Sequence, residues 1–344
     1  MLKRHWFKAL AILAVALAAS GAQAQEVSLK FHTFMAPGSN VWVNMLLPWM
    51  EKVSKESGGR IKFQQFPAMQ LGGTPPQLYD QVKDGVVDVV WTLPGYSAGR
   101  FPSVEVFELP FMMTSAEAAA RALWDYTGNQ GKADFKDVHV IATHTHGPGY
   151  LHTREKQVKS LADLKGMKIR GPTRVATKAV AALGATPVGM PLPQIPESLN
   201  KGVIDGAMLP WEVVPSIKVQ EIVKFHTETD PKAPALYTSV FILAMNKAKY
   251  DALPADLKKV IDNNSGAETS VFLGRTQEAG DGPGRKSAQD RKNTIYVMPA
   301  AEVEQWRKAT EPVIAEWIKD MDGKNYNGKA LVDAARALMV KYTK

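Results

Sequence analysis

Residues 61–94 read IKFQQFPAMQLGGTPPQLYDQVKDGVVDVVWTLP, and this stretch decides the fold class. A strand-like run at 61–66 is followed by a loop rich in Gly and Pro, a short helical pattern and an apolar strand-like run at 88–94. Upstream, VSLKFHTF at 27–34 alternates like a strand, and a helical pattern follows it up to Val53. The order β-α-β-α-β predicts a parallel sheet covered by helices, and therefore an α/β protein.

The same alternation recurs in the second half of the chain, which predicts a second α/β domain. Strand-like runs at 167–173, 185–191 and 203–212 are separated by helical patterns. A β-rich run at 233–247 is long enough to cross between two sheets. Residues 253–280 are then expected to form one long helix, which the polar, Gly-rich run that follows would end.

The first 24 residues have the three-part layout of a secretory signal peptide. Three basic residues precede the apolar run ALAILAVALAA at 9–19, and Ala22 and Ala24 stand where a signal peptidase requires small residues. The apolar run is too short to cross a hydrocarbon core of about 30 Å as a helix. We therefore expect cleavage and export to the periplasm, with an uncleaved membrane anchor as the alternative.

Composition excludes several classes of function. The 344 residues include no Cys, which rules out disulfides, thiolate metal sites and thiol nucleophiles. The formal net charge is +8, of which the signal segment carries three, and this mildly basic balance weakly favours anionic ligands. No Lys/Arg block predicts nucleic-acid binding, and no phosphate loop, dinucleotide fingerprint, GxSxG or HExxH motif is present. No cofactor is expected.

Three histidines keep an enzymatic alternative open. His144 and His146 share one face of a predicted strand, and His152 follows shortly after. They would suit a zinc site or a periplasmic hydrolase or isomerase. The other interpretation is that they are polar residues at strand ends. We adopt it and predict no metal site, because the sequence offers no matched carboxylate nearby and metal ligands usually have tighter spacing.

Arg170 is the principal candidate for ligand binding. It ends a short strand just before a Gly-Pro turn, and ligands of open α/β sheets bind beyond the carboxyl ends of the strands. Its guanidinium matches a carboxylate through two parallel hydrogen bonds. A surface ion pair is the alternative role. Arg174 stands near a helix start and is expected to face solvent.

Several further side chains at strand ends are candidate wall or hydrogen-bonding groups of a ligand site, with core packing as the alternative. They are Trp91, Trp211, Tyr150, Tyr96, Phe34 and His32.

Six short segments stand in a distinctive order behind the signal segment. They are PAMQLGG at 67–73, VKDGVVDVVW at 82–91, FELPFM at 107–112, DLKGMKIRGP at 163–172, LNKGVIDGAMLPW at 199–211 and LPADLKKVI at 253–261. In this order and spacing, the chain from residue 27 to about 320 resembles the solute-binding proteins of TRAP transporters, the tripartite ATP-independent periplasmic transporters of bacteria.

The resemblance implies a two-domain periplasmic binding protein fold with hinge strands, a long bridging helix and a ligand cleft between the domains. It also implies Venus-flytrap closure and delivery of the ligand to integral membrane TRAP permease subunits, driven by an ion gradient. The expected division is 1–24 for the signal peptide, 25–147 plus 236–276 for domain I, and 148–235 plus 277–344 for domain II.

The resemblance also assigns roles to individual residues. The family's carboxylate-binding Arg falls on Arg170. Sialic-acid-binding members carry a second Arg where this chain has Tyr150, and an Asn near the place of Leu209, so a sugar acid is not expected. Some keto-acid-binding members hold a metal with a Glu beside a Trp. This chain has Trp211-Glu212 in the opposite order, so Glu212 is a candidate ligand-binding residue.

These residues together predict a receptor, not an enzyme, for a small and fairly apolar monocarboxylate. An aromatic acid, a 2-hydroxy acid or a 2-oxo acid would suit the site. A sensor component that presents its ligand to a receptor kinase is the alternative within the same fold.

Overall fold

A computed structural model of the chain describes residues 26–343. The predicted signal peptide at 1–24 lies outside the described residues. The strands form two sheets, one of five strands and one of six, and helices pack on both. Within 26–343, no helix combines the length and apolar character needed to cross a membrane.

The first sheet contains the predicted parallel strands. β1 (Val27–Thr33) lies between β2 (Ile61–Phe66) and β3 (Val89–Thr92) and is parallel to both. β10 (Val240–Asn246) pairs antiparallel with β3 and with β4 (Val138–Thr145). β3 and β10 are buried along their whole length because each has a neighbour on both sides, which explains their continuous apolar sequences.

The second sheet is built around the second β-α-β-α-β block. That block supplies three parallel strands, and an antiparallel strand joins them to the outer pair of the sheet. The spatial order is β11-β9-β5-β8-β6-β7, where the strands are β5 (Gly149–Thr153), β6 (Lys168–Gly171), β7 (Thr186–Gly189), β8 (Gly206–Pro210), β9 (Phe225–Glu228) and β11 (Thr294–Val297).

Helices connect and cover the strands. A π-helical turn at Val41–Leu46 leads into the first of them, and 3-10 turns link several others. The α-helices are α1 (Leu47–Glu56), α2 (Leu78–Lys83), α3 (Ala116–Gly128), α4 (Leu161–Leu164), α5 (Arg174–Ala182), α6 (Ile195–Asn200), α7 (Val219–Ile222), α8 (Lys247–Asp251), α9 (Ala255–Asn263), α10 (Ala267–Ala279), α11 (Asp281–Asp290), α12 (Ala300–Asp322) and α13 (Gly328–Tyr342).

The bridging helix exists, but the predicted bounds 253–280 are wrong. The helix α9 ends before Gly266, whose φ of +95° is left-handed backbone that suits glycine, and α10 begins after it. The run at 280–293 does not stop the helix, because Gly280 keeps helical angles (φ −71°, ψ −13°) and α11 continues to Asp290. The α10–α11 pair therefore forms the bridge: α10 packs on α3 and β4, and α11 packs on the turn after β8.

Other elements differ from the sequence-based expectations. The run at 233–247 is a strand only from Val240 onward. No element is predicted from the sequence for β5, β9, α3 or α13, yet all four form. The helix α13 packs on α3, beside the first sheet, whereas the expected bounds place 277–344 with the second. The division into two domains stays a prediction.

Candidate functional site

A cavity lies between the two sheets, at the carboxyl ends of β3, β6 and β8. Its empty volume, which includes space open to solvent, is about 370 Å³. Most of its walls are apolar or aromatic, and the polar groups are few. The lining residues are Phe34, Met35, Trp91, Leu93, Tyr96, His146, Arg170, Pro172, Leu192, Leu209, Pro210, Glu212, Val213, Tyr237, Ser239, Phe241 and Gln277.

Aromatic rings form one wall of the cavity. Phe34 follows β1, and its ring centre lies 5.5 Å from those of both Trp91 and Tyr96. Trp91 stacks on Phe241 of β10 at 4.5 Å with an interplanar angle of 10°. Adjacent strands hold these rings, since β3 pairs with both β1 and β10. The wall suits a flat apolar ligand.

Arg170 supplies a cation inside this apolar cavity. It is 2% exposed and sits in β6 between β7 and β8. Its Nε donates to the carbonyl of Met190 at 3.0 Å, and Nη1 donates to that of Met208 at 3.1 Å. Among residues 26–343, no carboxylate oxygen lies within 4.0 Å of the guanidinium. Burial lowers the pKa of Arg170, but an Arg in a protein keeps its proton.

Glu212 is the buried acid of the cavity. It follows β8 in a 3-10 turn and is 2% exposed. Its Oε1 accepts a hydrogen bond from Gln277 Nε2 at 2.7 Å, and its main-chain N–H donates to Asp281 Oδ1 at 2.8 Å. Burial raises the pKa of Glu212 to about 7, and burial beside Glu212 raises the pKa of Asp281 to about 8. Near neutral pH the two carboxyls are therefore only partly ionised.

The histidines have structural partners. His144 is fully buried, and its Nε2 accepts the indole N–H of Trp91 at 2.8 Å. His146 lines the cavity, and its Nδ1 lies 2.5 Å from the carbonyl of Gly147. Burial lowers the pKa of His144 to about 3 and that of His146 to about 4, so both are neutral at pH 7. His152 contacts His226 instead, with 2.7 Å between the two Nδ1 atoms.

The structure places three of the eight predicted site residues outside the cavity lining. The Trp211 indole N–H donates to Glu228 Oε1 at 2.7 Å, and Tyr150 packs beside Trp211 with ring centres 6.4 Å apart. His32 Nδ1 lies 2.8 Å from Gln81 Oε1, and its Nε2 accepts the N–H of Leu71, which fixes the loop after β2. The five that line the cavity are Arg170, Trp91, Tyr96, Phe34 and Glu212.

Sequence reasoning missed several lining residues. Tyr237, Ser239 and Phe241 alternate along one stretch, and this spacing of two is the signal that could have placed them on one face. Gln277 lies on α10 and is 1% exposed. A lone Gln in a polar helix gave no sign of that burial. In 26–343, no cluster of three or more His, Asp or Glu side chains is arranged to hold a metal ion.

The sequence and the fold of this chain match those of known proteins. The family model described as bacterial extracellular solute-binding protein, family 7, matches residues 32–320. The chain belongs to that family. A TRAP solute-binding protein from Rhodoferax ferrireducens T118, solved with copurified benzoate, is similar to this family 7 protein at 60% identity and TM-score 0.91, covering 92% of this chain and 98% of that one.

Two further relatives have different ligands. A marine metagenome TRAP solute-binding protein specific for aromatic acids, solved with 3-hydroxybenzoate, is 48% identical with TM-score 0.92, covering 93% of this chain and 100% of that one. The 2,3-diketo-L-gulonate-binding periplasmic protein YiaO of Escherichia coli K12 is 26% identical over 315 residues, 89% of each chain. The resemblance to TRAP solute-binding proteins and the two-sheet α/β fold are thereby confirmed.

Proposed function

We propose that this family 7 protein is a periplasmic receptor that captures a small aromatic monocarboxylate and delivers it to a TRAP permease. The observation that carries the proposal is Arg170. A buried guanidinium without a carboxylate partner among the described residues is unfavourable unless a ligand supplies the anion. Its free N–H donors fit a carboxylate, and the rings of Phe34, Trp91 and Phe241 fit the apolar body of an aromatic acid.

The relatives support the choice of an aromatic ligand. The Rhodoferax protein at 60% identity holds benzoate, and the metagenome protein at 48% holds 3-hydroxybenzoate. The aromatic wall favours aromatic acids among the ligand classes expected from the sequence. A 2-oxo acid without a ring would leave much of that wall without contacts.

Binding without turnover is part of the proposal. The family is one of solute-binding receptors. The candidate base His144 is fully buried with its Nε2 occupied by Trp91, and the Nδ1 of His146, which lines the cavity, lies against the carbonyl of Gly147. Incubation of the protein with each acid, followed by chromatography, is expected to return the acid unchanged.

Export and domain closure complete the proposal. We infer that residues 1–24 are removed on export, in keeping with the periplasmic location named for the Escherichia coli relative. We also infer that 25–147 plus 236–276 and 148–235 plus 277–344 close as two domains around the ligand, with α13 held against α3. The cavity between the sheets supports this division, since its walls come from both.

Calorimetric titration tests the function. The protein is first unfolded and refolded to remove any copurified acid, and is then titrated with benzoate and with benzamide, which has the same ring but no charge. We expect micromolar or tighter binding of benzoate and at least a hundredfold weaker binding of benzamide. Equal affinity for both, or no binding of any aromatic acid by refolded protein, contradicts the proposal.

A further inference from the structure

The cavity has a second polar side that Arg170 does not use. Glu212, Gln277 and Ser239 line it, and each is at most 2% exposed. They come from three separate parts of the chain: the turn after β8, the helix α10 and the residue before β10. Such convergence of buried polar groups on an otherwise apolar cavity is typical of a position that orients a ligand.

Three oxygens on this side have no hydrogen-bond partner among the described residues. They are Glu212 Oε2, Gln277 Oε1 and Ser239 Oγ. Glu212 and Gln277 are already joined by the bond from Gln277 Nε2 to Glu212 Oε1, so the pair is fixed with one oxygen of each residue left over. Amide and carboxylate oxygens are acceptors, and a buried acceptor without a donor is unfavourable. When Glu212 is ionised, Glu212 Oε2 and Gln277 Oε1 are therefore two buried acceptors that a ligand's hydrogen-bond donor would satisfy, and the Ser239 hydroxyl is unpaired as well.

This acceptor side is distinct from the guanidinium. Arg170 is held by the carbonyls of Met190 and Met208, whereas Glu212 is held by Gln277 and Asp281. Burial raises the pKa of Glu212, and the hydrogen bond from Gln277 lowers it in part. The charge of Arg170 instead lowers the pKa values of Tyr96, His146 and Tyr237. A ligand whose carboxylate binds Arg170 therefore meets Glu212 with another part of its structure.

We propose that Glu212, with Gln277 and Ser239, forms a subsite for a hydroxyl group on the aromatic ring, so that the preferred ligands are hydroxylated aromatic acids. This inference rests on the proposed function, since it takes Arg170 as the carboxylate anchor. The ring hydroxyl donates its hydrogen to Glu212 Oε2, and Gln277 and Ser239 contribute the other unpaired oxygens of the cavity lining. A hydroxyl adjacent to the carboxylate, as in mandelate, lies beside Arg170 instead and does not satisfy this subsite.

The proposal has a consequence for pH dependence. A hydroxyl donor binds the ionised form of Glu212, so affinity for the hydroxylated acid rises as pH rises from 6 to 8, through the pKa of about 7. Benzoate has no donor, and its affinity stays level or falls over the same range. The other titratable or charged groups around Glu212 are Asp281, Glu278, Tyr237, His146, Arg170 and the Glu228–Arg285 pair. Asp281→Asn, which keeps an acceptor for the Glu212 N–H, isolates the contribution of Asp281.

Titration calorimetry at pH 8 with benzoate, mandelate and the three monohydroxybenzoates tests the subsite. For the unmodified protein we expect at least one hydroxybenzoate to bind ten times more tightly than benzoate. In Glu212→Leu this preference is expected to vanish, so that the hydroxybenzoates and benzoate bind with similar affinity. Glu212→Gln keeps the size and an acceptor, so it should fold in any case and lose the rise of affinity with pH.

The outcomes separate the two claims. Benzoate binding as tightly as every hydroxybenzoate, or a loss in Glu212→Leu that is equal for all acids, overturns the subsite and leaves the receptor function standing. An unchanged pH dependence in Glu212→Gln also overturns it. Failure of all five acids to bind the unmodified protein overturns the receptor function, and the subsite with it.

Discussion

Arg170 is the buried cation of the cavity lining, and the proposed function depends on it. Arg170 donates to two main-chain carbonyls, which restrain its guanidinium. The sequence predicts this position because a strand, an Arg and a Gly-Pro turn follow one another. The sequence does not predict which carbonyls accept these hydrogen bonds, since Met190 follows β7, Met208 lies within β8, and only the sheet order β8-β6-β7 brings both beside Arg170.

Replacement of Arg170 tests its role directly. Arg170→Ala is expected to weaken benzoate binding by about 2–5 kcal/mol, because the ligand carboxylate would be buried without a cation. Arg170→Lys keeps the charge but not the planar fork, so an intermediate loss is expected. Arg307→Ala, which removes an exposed ion pair on α12, is the matched control and should bind normally. Affinity of Arg170→Ala within tenfold of the unmodified protein contradicts the assignment.

His144 illustrates how burial changes a residue that the sequence offers as a base. Its folded pKa of about 3 lies below the usual 6.5, so the unfolded chain binds a proton that the folded chain does not. Stability from this group is therefore present above pH 6.5 and is lost as pH falls toward 3. The loss is up to about 1.4 kcal/mol per pH unit.

Variants of His144 test this account. His144→Gln keeps an acceptor for the Trp91 N–H, and urea unfolding between pH 7.5 and 4.5 should show a flatter decline of stability than in the unmodified protein. His144→Leu leaves that N–H unpaired and should lose about 1–3 kcal/mol already at pH 7.5. An identical decline with pH in the Gln variant would show that His144 has the same pKa in the folded and unfolded states, which contradicts this account.

At the scale of elements, the sequence pattern of a segment predicts the helices and strands whose formation depends on interactions within that segment. The first β-α-β-α-β block and the strands of the second are predicted because the spacing of apolar residues in each segment has the period of the helix or strand that forms there. The end of the bridging helix is predicted wrongly, because glycines at 280–284 resemble a helix stop when read alone. Their actual role is tertiary: a Cβ at Gly284 would lie 2.0 Å from the carbonyl oxygen of Trp211, and one at Gly280 would lie 2.9 Å from the Glu212 Cβ.

The close approach of α11 to the turn that carries Glu212 gives an element-scale prediction. Gly284→Ala is expected to push α11 from that turn, with a loss of stability of about 1–3 kcal/mol and weaker ligand binding, because the clash is with main-chain atoms. Gly282→Ala, on the same helix with no atom within 4 Å of the added Cβ, should raise stability slightly through helix propensity. Equal melting temperatures for the two variants would disprove the packing argument.

At the scale of the whole molecule, polar contacts join residues on the side of the first sheet to residues on the side of the second. Tyr96, after β3, accepts the N–H of Leu192 at 3.0 Å. Arg174, at the start of α5, forms ion pairs with Glu105 and with Asp320 of α12. The expectation that Arg174 faces solvent is therefore wrong: its side chain is 21% exposed, and that of Glu105 is 6% exposed. A position at the start of a helix predicts exposure of the side chain to solvent, but that prediction fails where a second domain covers the side chain.

The Arg174–Glu105 pair should favour the closed arrangement, because opening would return both charges to water. In Arg174→Ala, closure would instead bury Glu105 without its cation, so we expect about tenfold weaker ligand binding, mainly through faster dissociation. The ratio of affinities for benzoate and benzamide should not change, since the cavity keeps Arg170. Lys178→Ala is the matched control. Lys178 lies on α5, as Arg174 does, and this variant removes its ion pair with Asp320 but keeps the Arg174–Glu105 pair that joins the two sides. Stopped-flow dissociation rates measure the effect, and a rate for Arg174→Ala equal to that of Lys178→Ala would mean that the pair does not stabilise closure.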